Sequence, residues 1–243
     1  MAAKKAATKK VAAKKASKTA FTQRSEKGGR PGPPFCIERV QAWPCEGHAC
    51  TRSRSIARVD YRPLTSEYWD DFLSVMGPKG GDAGCFCMFY RQKSSVFSEM
   101  AGEANRTLMK EIVDSGAVPG LIGYRDGAPV GWVQVGPREW YGRLERSRVT
   151  KPLDDREAWA ITCFVIPKEH RRTGVSKDLL LAAVDYARSQ GVDLVEGYPV
   201  EPRTEAVPDF WSWMGFASIF EACGFEEVAR RSETRPFMRR ELT

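Results

Sequence analysis

Nowhere in this 243-residue chain do apolar residues run on uninterrupted for the ~18 to 20 positions that a membrane span requires. The N-terminus alternates alanine with lysine where a secretory leader would build an apolar core. No membrane contact is therefore expected, and a cytoplasmic location is. A disulfide framework is missing too: the seven cysteines (36, 45, 50, 85, 87, 163, 223) are odd in number and scattered over a chain long enough to do without staples, which fits a reducing compartment. Metal-ligand spacing is also absent. The nearest approach, Cys36, Cys45, His48 and Cys50, matches no zinc pattern, so no metal is expected. The folded part lacks positive charge as well. The net charge is +7, yet residues 1–30 carry eight Lys and two Arg against the single Glu26, so the rest of the chain sums to −2. A nucleic-acid-binding domain bears its positive patch on a folded face; here the basicity belongs to a tail.

What is present is an ordinary globular composition, 42% hydrophobic and 28% charged, enough for one sizeable core. Residues 1–34 repeat Lys-Lys pairs among Ala and Thr and run into a Gly/Pro stretch. They cannot bury enough apolar surface to order, and are expected to be a disordered basic tail and linker. Residues 35–57 show no period and read as an irregular arm. From about Arg58 the signals become regular. A strand over 59–62 precedes a helix carrying Tyr68, Trp69, Phe72, Leu73 and Met76. A second helix is expected over 94–115, closed by Gly116. Strands over 120–124 and 129–135 are joined by Asp126-Gly127, a hairpin pair because glycine tolerates positive φ. The run 158–166 is nearly continuously apolar, as a strand buried on both faces would be. An amphipathic helix over 174–190 follows, then a strand over 192–198, a short helix near 217–222 and a last strand or hairpin over 227–240. That order is α+β with a mixed sheet and one βαβ unit near its end.

The informative segment is Arg171-Arg172-Thr173-Gly174-Val175-Ser176, between the buried strand and the amphipathic helix. A helix N-terminus offers unpaired N–H groups and the positive end of its dipole, glycine lets an anion approach the backbone, and two arginines add charge. A pyrophosphate fits such a turn; a plain basic connection is the bland alternative.

Arg-x-x-Gly-x-Ser after Phe164-Val165-Ile166-Pro167 resembles the acetyl-coenzyme-A signature of the GNAT N-acetyltransferase superfamily. The resemblance extends to the hairpin around Asp126-Gly127 and to Ile219-Phe220-Glu221-Ala222-Cys223-Gly224-Phe225, and covers about residues 58–240 of a domain expected over 58–243. It implies the GNAT fold, whose central strands splay, with acetyl-CoA as cofactor. It further implies that amides of Phe164, Val165 and Ile166 hold the pantetheine and thioester carbonyl, and that Arg171, Arg172, Thr173, Gly174, Val175 and Ser176 wrap the pyrophosphate. The family commonly carries Tyr four residues before the glycine of the final Gly-Phe turn. Here that position is Phe220, which has no proton to donate.

For the catalytic groups, Glu196 is the candidate base, because it lies on the strand after the cofactor helix, and Tyr198 shares its face as acid or pocket wall. Asp154, Asp155 and Glu157 are weaker candidates. Cys163 reads as a small buried hydrophobe in preference to an acyl carrier. Cys85-Phe86-Cys87 is neither a redox pair nor a zinc knuckle and reads as buried or pocket-lining. Trp211 and Trp213 either lid a pocket for an apolar amine or form a satellite core. The expected activity is direct acetyl transfer to a primary amine of a small molecule or a protein, by a monomer or homodimer. Two other readings stay open: a nucleic-acid-associated protein whose residues 1–30 contact DNA or another polyanion non-specifically through counterion release, and a catalytically silent coenzyme-A sensor.

Overall fold

The computed structural model describes residues 59–202 and 212–242, within the compact unit that runs from Arg52 to Thr243. The basic tail (1–34), the arm (35–57), the Cys36/Cys45/His48/Cys50 group and Trp211 lie outside the described residues. Seven strands form one sheet: β1 (Asp60–Pro63), β2 (Gly120–Arg125), β3 (Ala128–Pro137), β4 (Trp159–Val165), β5 (Leu194–Gly197), β6 (Glu226–Ser232) and β7 (Arg235–Glu241). Their order is β1-β2-β3-β4-β5-β7-β6, and only β4 and β5 run parallel, so the sheet is mixed as the sequence implies. The helices are α1 (Trp69–Met76), α2 (Ser94–Glu99), α3 (Glu103–Asp114), α4 (Gly142–Arg146), α5 (Val175–Ser189) and α6 (Ala217–Glu221). Among the described residues no helix is long and apolar enough to cross a membrane.

Alternation along β2 and β3 sorts side chains onto two faces. Leu121, Val133 and Val135 meet Val175, Leu179, Leu180 and Ala183 of α5. Ile122 and Trp132 meet Phe72 and Met76 of α1 and Met109 and Val113 of α3. At the cross-strand pair Gly123 and Gly131, α5 sits directly on the sheet. A Cβ on Gly131 would lie 2.9 Å from Leu179 and 3.0 Å from Val175, and one on Gly123 would lie 2.8 Å from Leu179. This close approach fixes the first turn of α5 at the end of β4. Each fully buried aliphatic side chain such as Leu179 contributes ~1.5–3 kcal/mol.

Two sequence expectations change. The helix expected over 94–115 is broken into α2 and α3 at Gly102, whose φ of +86° is left-handed and whose N–H donates to the Gly84 carbonyl at 2.9 Å. That bond ties the helices to the loop over residues 77–93. The short helix α4 had no periodic signal, being a single turn.

The feature that makes a site is the parting of β4 from β5. They pair only through Trp159, Ala160 and Ile161 against Val195, Glu196 and Gly197. Beyond Gly197 the Phe220 ring fills the gap: a Cβ on Gly197 would stand 2.1 Å from it. Phe220 packs edge-on against Phe164 and Phe225 and is fully buried. The segment 212–216 then runs beside β4, with the Phe164 N–H donating to the Trp213 carbonyl at 2.6 Å.

Candidate active site

A cavity of about 990 Å³ follows the open edge of β4. Its walls are Cys163, Phe164, Val165 and Ile166 of β4 and its exit, Arg171, Arg172, Gly174, Val175 and Ser176 at the start of α5, the C-terminal end of α1 with Asp82, Cys85 and Cys87 of the following loop, and Trp213, Gly215, Phe216 and Ile219 opposite.

At the α5 end the backbone is shaped for an anion. Arg172 has φ of +60° and Gly174 has φ of +86°, so neighbouring amides turn to one side, as in an anion-binding nest. The Lys177 and Asp178 amides return to the Gly174 carbonyl, at 3.0 and 3.1 Å, which leaves the Val175 and Ser176 amides as the orphan donors of a 15-residue helix. A Cβ on Gly174 would meet nothing within 4 Å, so the space above this glycine is open cradle. Arg171 reaches back to the Ile166 carbonyl at 2.9 Å, closing the turn. Thr173 corrects the sequence reading. It does not line the cavity; its hydroxyl donates to the His170 carbonyl at 2.6 Å and accepts from Arg125 at 3.1 Å, so it braces the turn from behind.

The β4 amides also divide. Phe164 is occupied by Trp213, so its N–H is not available for a ligand, contrary to expectation. Val165, paired with Trp132, turns its amide toward β3 by strand alternation. Ile166 is the next residue on the open side, and its N–H has no backbone acceptor among the described residues.

Glu196 and Tyr198 are not in the cavity wall. The Glu196 side chain is 1% exposed and is held between two arginines that are themselves 9% and 10% exposed, Arg138 and Arg239. One carboxylate oxygen accepts from Arg138 and from the Tyr198 hydroxyl (2.7 Å), the other from Arg239 at 2.8 and 3.0 Å. Arg138 donates further to Glu145 (3.0 Å) and to the Thr150 carbonyl (2.6 Å), and Arg239 to Asp154 (2.9 Å). With its lone pairs occupied and no opening to the cavity, Glu196 cannot reach an acceptor amine; it is a strut joining β5 and β7 to Arg138, in the turn that follows β3. The Tyr198 hydroxyl is driven well above its ordinary range, first by burial and then by the Glu196 charge, and it too serves the network. Asp154, a weaker candidate, belongs to the same network: the Arg239 hydrogen bond lowers its carboxyl to about 2.

Sequence reasoning did not single out the cavity's own carboxylates, Asp82 and Glu169. Neither stands in a motif, and only the folding of residues 77–93 against β4 brings Asp82 to the wall. Of the thiols, Cys87 is buried and Cys85 lines the cavity as expected, whereas Cys163, expected to be buried, is half-buried and lines the cavity. Trp132 Nε1 donates to Cys87 Sγ at 3.2 Å. Contact with Cys163 and complete burial push the Cys87 thiol well up, and the Cys87 contact with burial likewise raises Cys85, so both are protonated wall. Among the described residues no group of His, Cys, Asp and Glu is arranged to hold a metal ion.

The family model described as the acetyltransferase (GNAT) family matches residues 87–216, more than half of the chain. No curated protein matches. Among solved structures, a GNAT-family acetyltransferase from Listeria monocytogenes is similar at 10% identity, covering 79% of this chain and 99% of that one, with a TM-score of 0.49. The PaiA N-acetyltransferase from Thermoplasma acidophilum, in complex with coenzyme A, is similar at 14% identity over 75% and 98%, TM-score 0.43. An N-acetyltransferase from Staphylococcus aureus Mu50 is similar at 11% over 77% and 100%, TM-score 0.45. With the matched span running from the Cys87 wall through β4 and the α5 turn to Phe216, the chain belongs to the GNAT acetyltransferase family and is an acyltransferase with acetyl-CoA as its cofactor.

Proposed function

We propose that this protein moves the acetyl group of acetyl-CoA directly to the amine of an acceptor, at the stretch of the cavity formed by Cys163, Phe164, Val165 and Ile166. The observation that carries the reading is the open left-handed cradle at Arg172 and Gly174, at one end of a cavity that runs along the edge of β4 where β5 has parted from it. The residues present fit the group. Arg171, Arg172 and the Val175 and Ser176 amides match a pyrophosphate in charge and in donors, and an apolar channel along β4 matches a pantetheine arm. When bound, the cofactor supplies an activated acyl thioester.

The chain's own part is then to hold, orient and neutralise. The Ile166 N–H, one residue past β4 on the open side, is the amide that would donate to an oxygen that gains charge, the kind of fixed donor that is usually the largest catalytic term. Proton removal from the acceptor is assigned to Asp82. Glu169 belongs to the anion-binding end, next to His170 and Arg171, whereas Asp82 lies on the cavity wall in the loop that carries Cys85, whose N–H donates to the Asp82 carbonyl at 3.0 Å. The leaving thiolate takes its proton from water, since Phe220 has no hydroxyl and is sealed in the core.

A screen of amine acceptors with acetyl-CoA, followed by release of free thiol, tests this. Thiol release that depends on both substrates is expected. Tight cofactor binding with no turnover of any amine supports instead the coenzyme-A sensor, a reading favoured by the loss of the usual hydroxyl at Phe220.

A further inference from the structure

Charge is unevenly placed around the cavity. Glu169, His170, Arg171 and Arg172 stand together in the turn before α5, and over the rest of the described lining the one charged residue is Asp82. β4 leads away from that turn: at ~3.3 Å per residue, Cys163 lies about 10 Å back from Ile166. The surroundings of Cys163 are apolar. It packs on the cluster that contains Met76 and Cys87, and the Phe164 N–H beside it joins the Trp213 carbonyl. Met76, Cys85, Cys163 and Trp213 all line the cavity. Cys85 adds no charge, because its contact with Cys87 and then its burial push the thiol well above its ordinary range.

Trp213 is held in place by its neighbours. Its carbonyl accepts from Phe164 at 2.6 Å, and its ring packs 5.2 Å from Phe89, which meets Tyr90 and Phe97 edge-on at 5.0 and 5.3 Å. Met214 Sδ accepts from the Tyr90 hydroxyl at 2.8 Å, and the Gly215 carbonyl from the Val200 N–H at 2.8 Å. The indole Nε1 is closed off from solvent, so the half-buried ring offers carbon to the cavity.

We propose that the acceptor is a hydrophobic amine: one ammonium on an apolar body the size of a phenyl ring or larger, without a carboxylate or phosphate. The inference rests on the acetyl-transfer reading above. Asp82 is exposed on the wall, where it attracts an arriving ammonium and takes its proton. The body then displaces water from the carbon surfaces of Trp213 and Met76. Because the Trp213 ring is fixed beforehand, little ordering cost offsets that gain. A carboxylate on the same body gives up water against a wall that supplies no cation among the described residues, and it shares the site with the Asp82 charge. Rejection of anionic amines follows from the same surfaces that accept apolar ones.

The test uses the full-length protein with acetyl-CoA and matched acceptors: phenethylamine with phenylalanine, hexylamine with 6-aminohexanoate, ethylamine as the truncated control, and a lysine-containing peptide. Wild-type protein is expected to favour the carboxylate-free member of each pair, and phenethylamine over ethylamine, by about tenfold or more in kcat/KM. In Trp213→Ala the phenethylamine-to-ethylamine ratio falls toward one, mainly through KM, and Trp213→Phe recovers part of it. The wild-type ratios decide even if the alanine variant does not fold. Equal use of phenethylamine and phenylalanine, equal use of phenethylamine and ethylamine, or turnover confined to the peptide overturns the proposal while leaving acetyl transfer intact. Calorimetry with coenzyme A separates the two failures, because a wild-type protein that does not bind it overturns the underlying reading. If no acceptor turns over, calorimetric titration of the coenzyme-A-loaded protein with the same amines decides. Binding of phenethylamine about tenfold or more tighter than that of phenylalanine and ethylamine supports the proposal, and equal affinities or no binding sink it.

Discussion

Replacing Glu196 by Gln removes the one charge that Arg138 and Arg239 share. The carboxylate is 1% exposed and its two partners are 9% and 10% exposed, so this is a buried ion network, and breaking such a pair from one side costs ~3–5 kcal/mol because the remaining charges lose their compensation. The lower end applies here: Arg138 keeps Glu145 and the Thr150 carbonyl, and Arg239 keeps Asp154. The new amide also points N–H donors at guanidinium donors. A loss of about 3 kcal/mol is expected, which for a folded unit of this size lowers Tm by roughly 6–12 °C. Urea unfolding monitored by tryptophan fluorescence measures the first figure and calorimetry the second. The pH dependence of kcat/KM in the surviving folded fraction should keep its wild-type shape, because the carboxylate has no access to the cavity. If Glu196→Gln retains wild-type stability to within about 0.5 kcal/mol while kcat falls by ~10²-fold, the size of a general-base loss, the strut assignment is wrong and Glu196 acts on the substrate.

Gly174→Val places a branched side chain in the cradle at a φ of +86°; the backbone strain is ~1–2 kcal/mol. The lost approach of a charged group to the amides should weaken coenzyme A about tenfold or more; unchanged calorimetric affinity in a folded variant would remove the pyrophosphate from this turn. Asp82→Asn should lower kcat by ~10²-fold or more with little effect on cofactor affinity, and an unaltered pH–rate profile would send the base elsewhere. Asp154 is depressed from its ordinary 3.8 to about 2, so its contribution to stability is present above the ordinary value and is lost as pH falls toward 2. Asp154→Asn should therefore flatten the pH dependence of stability between about 4 and 2, and a slope equal to wild type in that window would refute the pairing.

Local rules were sufficient wherever neighbouring residues decide the outcome. The turn at Asp126 and Gly127 shows φ of +53° and +79°, as a two-residue hairpin of that pair requires. The nearly continuous apolar run became β4, whose Ala160, Ile161, Thr162 and Phe164 are buried while Trp159, Cys163 and Val165 are half-buried, and the three-and-four spacing of Val175, Leu179, Leu180 and Ala183 became the core face of α5. The Arg-x-x-Gly-x-Ser turn could be read because its chemistry is that of a helix N-terminus, and a helix N-terminus is encoded within six residues. Glu196 could not be read in this way. Strand alternation places its side chain on a face, but whether that face meets a ligand or two arginines depends on Arg138 and Arg239, which lie 58 and 43 residues away along the chain. Phe164 shows the same limit, since its amide is taken by Trp213, 49 positions on, where the split between β4 and β5 draws the chain alongside. Asp82 carries no motif at all. Sequence alone determined most of the strands and helices and their order, though neither the break at Gly102 nor α4, because those elements follow from short-range periodicity, capping and charge. Tertiary structure alone decided which carboxylates face the cavity and which are sealed against arginines, because burial and pairing are set by contacts between residues far apart in the chain.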